Sequence, residues 1–177
     1  MGALSDETVG KFIGENFEAT HQKVGTFQIV SGAKQGGNVA SYFCLEDGTV
    51  VHAVAGPLDA KAFLKEAKWA MDVQRLALND VSKDMARYRA VIRKAHLERL
   101  AADHGFKPQP NTLPRIFVGP PILTNNPLRK AAGGLNRQGQ VHLLLAHSPL
   151  PKLSELYPIV FEDILQEKTS TLPVRVR

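Results

Sequence analysis

Residues 38–56, NVASYFCLEDGTVVHAVAG, decide the fold class of this 177-residue chain. Two segments rich in β-branched and aromatic residues, 39–45 and 49–54, flank the sequence Glu-Asp-Gly at 46–48. Such segments are typical of strands, and an Asp-Gly pair supplies the positive-φ position that a tight connection needs. The stretch therefore predicts a β-hairpin. It contains no catalytic motif.

Upstream of the hairpin, the sequence predicts a helix and two shorter strands. Asp6, or the serine before it, is a candidate N-cap for a helix at 7–16. Residues 17–21 alternate weakly and 26–30 are rich in β-branched and aromatic residues, so both are predicted strands. Residues 31–38, SGAKQGGN, are predicted to be a loop. Its glycines do not open a helix, as a Walker-type phosphate loop requires, so we favour a simple turn.

Downstream of the hairpin, the sequence is helical in character from Asp59, a candidate N-cap, to His104, with Gly105 as a stop. A break is allowed near Ser82, where helix propensity is weakest. Apolar residues follow a spacing of three and four along this helix. Two interpretations stay open: a stripe packed on its own domain, or a protruding seam for dimerisation or docking. The seam residues singled out are Leu78, Val81, Met85, Tyr88 and Ile92.

The last seventy residues change character several times. Residues 106–126 contain five prolines and predict an extended connector, with a short strand at 115–119. Residues 125–140 are polar and glycine-rich, which predicts a mobile loop. The apolar run at 141–146, VHLLLA, predicts a buried strand, and residues 154–167 predict a final amphipathic helix.

The first part of the chain resembles the C-terminal half of thioredoxin-like domains, over about residues 5–72. In that family a strand, an Asp-Gly turn, a second strand and a glycine lead into the last helix. The resemblance is carried by VASYFCLEDG (39–48), VVH (50–52), Gly56 and DAKAFL (59–64), with SDETV (5–9) and IGENF (13–17) upstream. It implies a degenerate thioredoxin-like fold.

The departures from the family decide what the resemblance implies for function. Thioredoxin-like activity needs a Cys-x-x-Cys pair at a helix N-terminus, and this chain has none. Val39 stands where the family has its cis-proline. The resemblance therefore implies a non-catalytic binding or scaffolding module, with no catalytic residue and no cofactor. A sheet lacking its first strand needs a partner for the strand at 39–45, and residues 141–146, 26–30 or a partner's strand are the candidates.

The sequence thus predicts an α/β fold: a thioredoxin-like partial sheet with a β-hairpin, a long helix and a C-terminal α/β extension. We expect residues 1–105 to form the thioredoxin-like region with its long helix. We expect residues 106–177 to form a connector and a strand-helix extension packed on the same domain. A protein partner or self-association through the helix is the expected interaction.

A nucleic-acid-binding function is one alternative. The chain has 22 basic and 17 acidic side chains, a net charge of +5, and the positive excess lies after residue 56. Arg87, Arg93 and Lys94 on the long helix, with Arg129 and Lys130, are the residues that could track a phosphate backbone. Aromatic residues are sparse among them, so base stacking has little support and an ordinary solvated helix is favoured.

Cysteine and histidine chemistry receives little support from the sequence. Cys44 is the single cysteine, so no intrachain disulfide can form, and a buried apolar role is favoured. His52 on the paired strand is the one argument for a reactive Cys44 thiol. No two histidines have the i, i+4 spacing of a zincin helix, and none accompanies a cysteine cluster, so no metal site is predicted. The histidines are His21, His52, His96, His104, His142 and His147.

The compartment stays open, with the cytoplasm favoured. No apolar stretch approaches the length of about 20 residues that spans a bilayer. The N-terminus lacks the basic and apolar segments of a signal peptide. A further alternative is that the chain is a fragment of a thioredoxin-like redox protein whose dithiol lies upstream.

Overall fold

The computed structural model describes residues 3–22, 28–35, 38–80, 84–109, 113, 115–123 and 126–169. Within these ranges the protein is a mixed α/β structure with six helices and two antiparallel two-stranded sheets. No helix within the described ranges combines the length and the hydropathy that a membrane span requires. The elements in chain order are α1 (Glu7–Asn16), β1 (Gln28–Val30), β2 (Ala33–Gln35), β3 (Ala40–Cys44), β4 (Val50–Ala55), α2 (Ala60–Asp80), α3 (Met85–His104), α4 (Asn126–Ala132), α5 (Arg137–His147) and α6 (Leu153–Ile159).

The predicted hairpin and the first helix are both confirmed. β3 pairs with β4 in antiparallel register, with Ala40 opposite Ala55 and Phe43 opposite His52. Gly48 has φ of +76°, as the tight turn requires. The carboxylate of Asp6 accepts hydrogen bonds from the first turn of α1 and caps it.

Strand β4 lies at the centre of the protein, where it is buried along almost its whole length. Val50 and Ala53 belong to a core cluster with α4, α5 and α6. Val51 packs with α2 and α3, and Val54 packs with α1 and the start of α2. Helices cover both faces of β4, so the side chains on both faces of the strand are buried. This explains its continuous apolar sequence.

The long helix is broken into two, at the place where its propensity is weakest. α2 ends at Asp80 and α3 begins at Met85, with Asp84 as an N-cap that accepts from two backbone N–H groups. Residues 81–83, including Val81 and Ser82, lie outside the described residues. Gly105 ends α3 in the left-handed conformation, as predicted. An uninterrupted helix over 59–104 is therefore wrong, and α2 and α3 instead pack against each other.

The apolar run at 141–146 is a helix, so its prediction as a buried strand is wrong. It forms the middle of α5, which Asn136 caps by accepting from the backbone of Gly139. An apolar run of six residues cannot distinguish a buried strand from a buried helix by its periodicity. Here α5 is surrounded by the core, so every residue from Val141 to Ala146 is buried.

Several other local predictions are corrected. Residues 17–21 and 115–119 form no strand. The predicted loop at 31–38 contains β2, which pairs with β1. The predicted mobile loop at 125–140 contains α4 and the start of α5.

The prediction for the C-terminal part is confirmed in two respects. The described residues of the proline-rich connector, 106–109, 113 and 115–123, contain neither helix nor strand. α6 forms the final helix and continues into a short π-helical segment, Val160–Ile164.

The hairpin's sheet gains no third strand in the described part of the chain. Residues 141–146 are helical, and β1 pairs with β2, so neither completes the sheet. Instead, the Gln138 side chain covers the free edge of β4: its Nε2 donates to the Ala53 carbonyl at 2.9 Å, and its Oε1 accepts from the Ala55 N–H at 3.3 Å. A side-chain amide thus satisfies backbone groups that a neighbouring strand would otherwise satisfy.

Candidate metal centre

Three histidines from three different elements meet at the centre of the protein. His52 lies on β4, His96 on α3 and His142 on α5, and each is 0% exposed. Their ring centroids are 5.7 Å apart for His52 and His96, 5.2 Å for His52 and His142, and 5.0 Å for His96 and His142. Histidine is only intermediate in its tendency to be buried, so three fully buried and adjacent histidines require an explanation.

The surrounding elements bring the three rings together. His96 follows Ile92 by four residues and precedes Leu100 by four, so it lies on the buried face of α3. His142 is embedded in the apolar run of α5, which packs on both α3 and β4. His52 occurs in the strand that both helices cover. The cluster is therefore a product of tertiary packing, with no two members close in sequence.

The hydrogen bonds of His96 fix which of its nitrogens carries the proton. His96 Nε2 lies 3.1 Å from the Val51 carbonyl oxygen, and Nδ1 lies 2.8 Å from Nδ1 of His142. A carbonyl oxygen only accepts, so Nε2 is the protonated nitrogen and Nδ1 carries a lone pair. That lone pair is directed at His142.

The hydrogen bonds of His52 fix its tautomer in the same way. His52 Nε2 lies 2.9 Å from Oε2 of Glu66, and the other carboxylate oxygen accepts from Arg99 Nη2 at 2.6 Å. Arg99 Nε is also 2.8 Å from a carboxylate oxygen of Asp103. Since a carboxylate accepts only, His52 Nε2 carries the proton and Nδ1 carries a lone pair.

Two ring nitrogens of the cluster have no hydrogen-bond partner among the described residues. They are Nδ1 of His52 and Nε2 of His142, and both are buried. Buried polar atoms are hydrogen-bonded in most proteins, so these two are exceptions.

The electrostatics of the cluster keep all three imidazoles neutral at neutral pH. Burial, reinforced by the nearby His52, lowers the pKa of His96 to about 3. Burial also lowers the pKa of His142, and the neighbouring histidines add to the effect. The pKa of His52 is lowered by burial, which outweighs the opposing influence of Glu66. Neutral imidazole is the form that binds metal ions.

Glu66 remains ionised although it is buried. Burial opposes its ionisation, but the hydrogen bond from His52 and the positive charge of Arg99 lower its pKa overall. The His52–Glu66 contact is therefore a hydrogen bond from a neutral imidazole to a carboxylate.

The cluster brings three possible ligand nitrogens together, and the rings must shift for all three to bind one ion. One ligand nitrogen from each histidine can be chosen so that all three lie within 4.8 Å of one another. A tetrahedral Zn²⁺ with Zn–N bonds of 2.0–2.1 Å places its nitrogens about 3.3 Å apart. Residues His52, His96 and His142 can thus supply three donors to one ion.

Trp69 packs against all three imidazoles. Its ring centroid is 4.7 Å from that of His52, 5.1 Å from His96 and 5.4 Å from His142, at steep interplanar angles. The Arg99 guanidinium lies 5.0 Å from the indole centroid. The indole therefore forms one wall of the cluster.

The predicted seam residues occupy two different environments. Tyr88 and Ile92 are buried in the core that α2 and α3 share. Leu78 and Met85 lie at the junction of these helices and are 56% and 53% exposed. Val81 is outside the described residues.

The predicted basic residues are dispersed. Arg87 and Lys94 are exposed, and each is paired with an acidic residue of its own helix region. Arg93 is half-buried and donates to the Leu113 carbonyl oxygen at 2.6 Å. Arg129 and Lys130 lie exposed on α4. The nucleic-acid interpretation stays a prediction.

Cys44 lies at the end of β3 and is half-buried. Burial, with a smaller effect from Asp47, raises the pKa of its thiol. A raised pKa reduces the thiolate fraction that reacts.

The sequence interpretation assigned no metal ligand, and it did not anticipate this cluster. His142 lies in the segment that was predicted to be a buried strand. Because this segment is α5, His142 lies in the core and His147 stacks on Phe117 near the surface. The available signal was that His52 and His142 each lie within an apolar segment and that His96 lies four residues from both Ile92 and Leu100, which predicts burial of each ring but no metal-ligand spacing.

The chain matches no family model, no curated protein and no solved structure. The thioredoxin-like resemblance of residues 5–72 therefore stays a prediction, as does the redox-fragment alternative.

Proposed function

We propose that this protein binds one transition-metal ion, with Zn²⁺ as the first choice, through His52, His96 and His142. The observation that carries the proposal is the meeting of three fully buried, neutral imidazoles, each of which offers one ring nitrogen within 4.8 Å of the other two.

A hydrogen-bonded histidine network alone satisfies these nitrogens poorly. The N–H groups of His52 and His96 are already donated to Glu66 and Val51. Only the N–H of His142 remains, and it can serve one lone pair of the cluster. Each buried polar group left without a partner costs about 1–3 kcal/mol. A metal ion would accept one lone pair from every ring, so that only the N–H of His142 would lack a partner among the described residues.

The hydrogen bonds that His52 and His96 donate have the pattern that metal-binding histidines show. Such histidines donate their other N–H to a carboxylate or a backbone carbonyl, which fixes the tautomer. His52 donates to Glu66, and His96 donates to the Val51 carbonyl. Two of the three candidate ligands thus have this support.

The donor set favours borderline metal ions. Imidazole nitrogen suits Zn²⁺, Cu²⁺, Ni²⁺ and iron better than Mg²⁺ or Ca²⁺, which prefer oxygen. Three protein donors also leave a fourth position of a tetrahedral ion for another ligand.

Absorption spectroscopy with Co²⁺ tests the proposal. We expect the metal-free protein to develop visible bands that saturate at one equivalent and that Zn²⁺ removes. The variants H96Q and H142Q should lose these bands. H21Q and H147Q, which alter histidines outside the cluster, are the matched controls and should retain them. Equal spectra for all five proteins would contradict the proposal.

Self-association through the helices is a second candidate function. It is favoured by three exposed apolar side chains at the junction of α2 and α3, namely Leu76, Leu78 and Met85. A contiguous patch of exposed apolar groups is typical of interaction surfaces, and substitution of Leu78 and Met85 tests whether these residues act as one. Light scattering at tens of micromolar should give a dimer for the wild type and a monomer for the double variant L78E/M85E. A monomeric wild type would remove this candidate.

A further inference from the structure

We infer that Glu66, held by Arg99, is the positioning residue that turns the lone pair of His52 Nδ1 towards the cluster. The inference rests on the proposed metal site and assigns a role to residues that are not themselves ligands.

The geometry leaves His52 little freedom. Glu66 Oε2 accepts a hydrogen bond from the N–H at Nε2 of His52 at 2.9 Å, and this contact leaves Nδ1 as the unprotonated nitrogen. His52 Nδ1 has no other partner among the described residues. Removal of the acceptor at Nε2 would therefore free the proton to occupy Nδ1, where it blocks a metal ion.

Arg99 in turn fixes the carboxylate. Its guanidinium is bonded to Glu66 at 2.6 Å and paired with Asp103 at 2.8 Å. It also lies over Trp69 at 5.0 Å from the ring centroid. Because a guanidinium only donates, one oxygen of Glu66 is committed to Arg99 and the other is left for His52.

A purely stabilising role explains this arrangement less well. Glu66 is 7% exposed, and a buried ion pair often contributes no more stability than apolar residues of the same volume. The pair instead fixes the position of Glu66 Oε2 as a hydrogen-bond acceptor opposite Nε2 of His52. In known metal sites, loss of a group that accepts a hydrogen bond from a ligand histidine lowers metal affinity about 10–100-fold.

The variant E66Q gives the sharpest test, because an amide has one acceptor and one donor end. Arg99 will attract the amide oxygen, which leaves the NH₂ group opposite His52 Nε2. An NH₂ group needs a lone pair there, so the proton of His52 should move to Nδ1. We expect the metal affinity to fall about 10–100-fold.

The double variant E66Q/R99M should reverse this effect. Without the guanidinium, the amide can turn its oxygen towards His52 Nε2 and restore the original tautomer. We expect E66Q/R99M to regain most of the metal affinity that E66Q loses. The single variant R99M should keep the wild-type tautomer of His52. E98Q, an isosteric change at an exposed glutamate of α3, is the matched control.

Two readouts separate the inference from the proposed function. Long-range ¹H–¹⁵N correlation spectra of the metal-free proteins report the tautomer of His52 directly. Competition with a chromophoric chelator reports the Zn²⁺ affinity. A wild-type tautomer and affinity in E66Q would overturn the inference while the metal site stands. A wild type that binds no Zn²⁺ would overturn both. Loss in E66Q without recovery in E66Q/R99M would also overturn it.

Discussion

Nδ1 of His96 lies 2.8 Å from Nδ1 of His142, although the two residues are separated by 46 positions in the sequence. One of these nitrogens must carry the proton of any hydrogen bond between them. The proton of His96 is on Nε2, which donates to the Val51 carbonyl oxygen. In the metal-free protein the contact is therefore a bond from His142 to His96. In the proposed metal-bound protein both rings act as donors to one ion.

The free energy of unfolding of the metal-free protein should decrease as the pH falls below 6.5. Burial lowers the pKa of His96 from its ordinary value of 6.5 to about 3 and also lowers the pKa values of His52 and His142. Between pH 6.5 and about 3 the unfolded chain therefore binds protons that the folded protein does not. The stabilisation is fully present above pH 6.5 and is lost as the pH falls towards 3. Urea unfolding at pH 7.5, 6 and 5 measures this slope.

A variant with one fewer histidine in the cluster is the control for that slope. H142Q should show a shallower decrease of the free energy of unfolding over the same pH range, because one titrating group is gone. An equally steep decrease in H142Q and wild type would show that the histidine cluster is not its source.

Trp69 should report metal binding by its fluorescence. It is the single tryptophan of the chain and packs against all three imidazoles. A paramagnetic ion such as Cu²⁺ or Ni²⁺ in the cluster would lie close enough to quench its emission. We expect quenching that saturates at one equivalent in the wild type and in H21Q. Linear quenching without saturation, or equal quenching in H142Q, would argue against a site beside Trp69.

Truncation of Leu144 tests the role of α5 as a core helix. Leu144 is 0% exposed, and a buried Leu→Ala change costs about 2–5 kcal/mol through lost burial and the cavity that remains. Chemical denaturation should show L144A destabilised within this range. V118A, at a 66% exposed position, should change the free energy of unfolding by less than about 0.5 kcal/mol. Equal effects of the two substitutions would be inconsistent with the described packing.

The turn at Gly48 provides a test of backbone conformation alone. Gly48 has φ of +76°, and a Cβ added there would meet no atom within 4 Å. The cost of G48A is therefore the left-handed backbone itself, about 1–2 kcal/mol. G134A is the control, because Gly134 has equal space and no positive φ. Thermal unfolding should rank G48A well below G134A.

Local signals in the sequence predicted the elements whose ends are chemically marked. Asp6 and Gly105 mark the start of α1 and the end of α3, and the Asp-Gly pair marks the turn of the hairpin. In each case one residue sets the local backbone conformation, either by capping the helix with its side chain or by adopting a positive φ as a glycine. Such information is contained within a few residues.

The elements that tertiary packing decides were predicted poorly. Residues 141–146 are apolar in either a strand or a helix, and only their contacts with α3 and β4 distinguish the two. The histidine cluster belongs to the same class. His52, His96 and His142 approach one another through packing of a strand and two helices. No local spacing in the sequence therefore predicts the cluster.

Isothermal titration of the metal-free protein with Zn²⁺ measures whether His52, His96 and His142 together bind one metal ion. We expect one site in the wild type and in H21Q, and loss of that site in H96Q and H142Q while both variants remain folded. Wild-type protein that takes up no Zn²⁺, or H96Q and H142Q variants that bind it as tightly as the wild type, would contradict the proposed metal site.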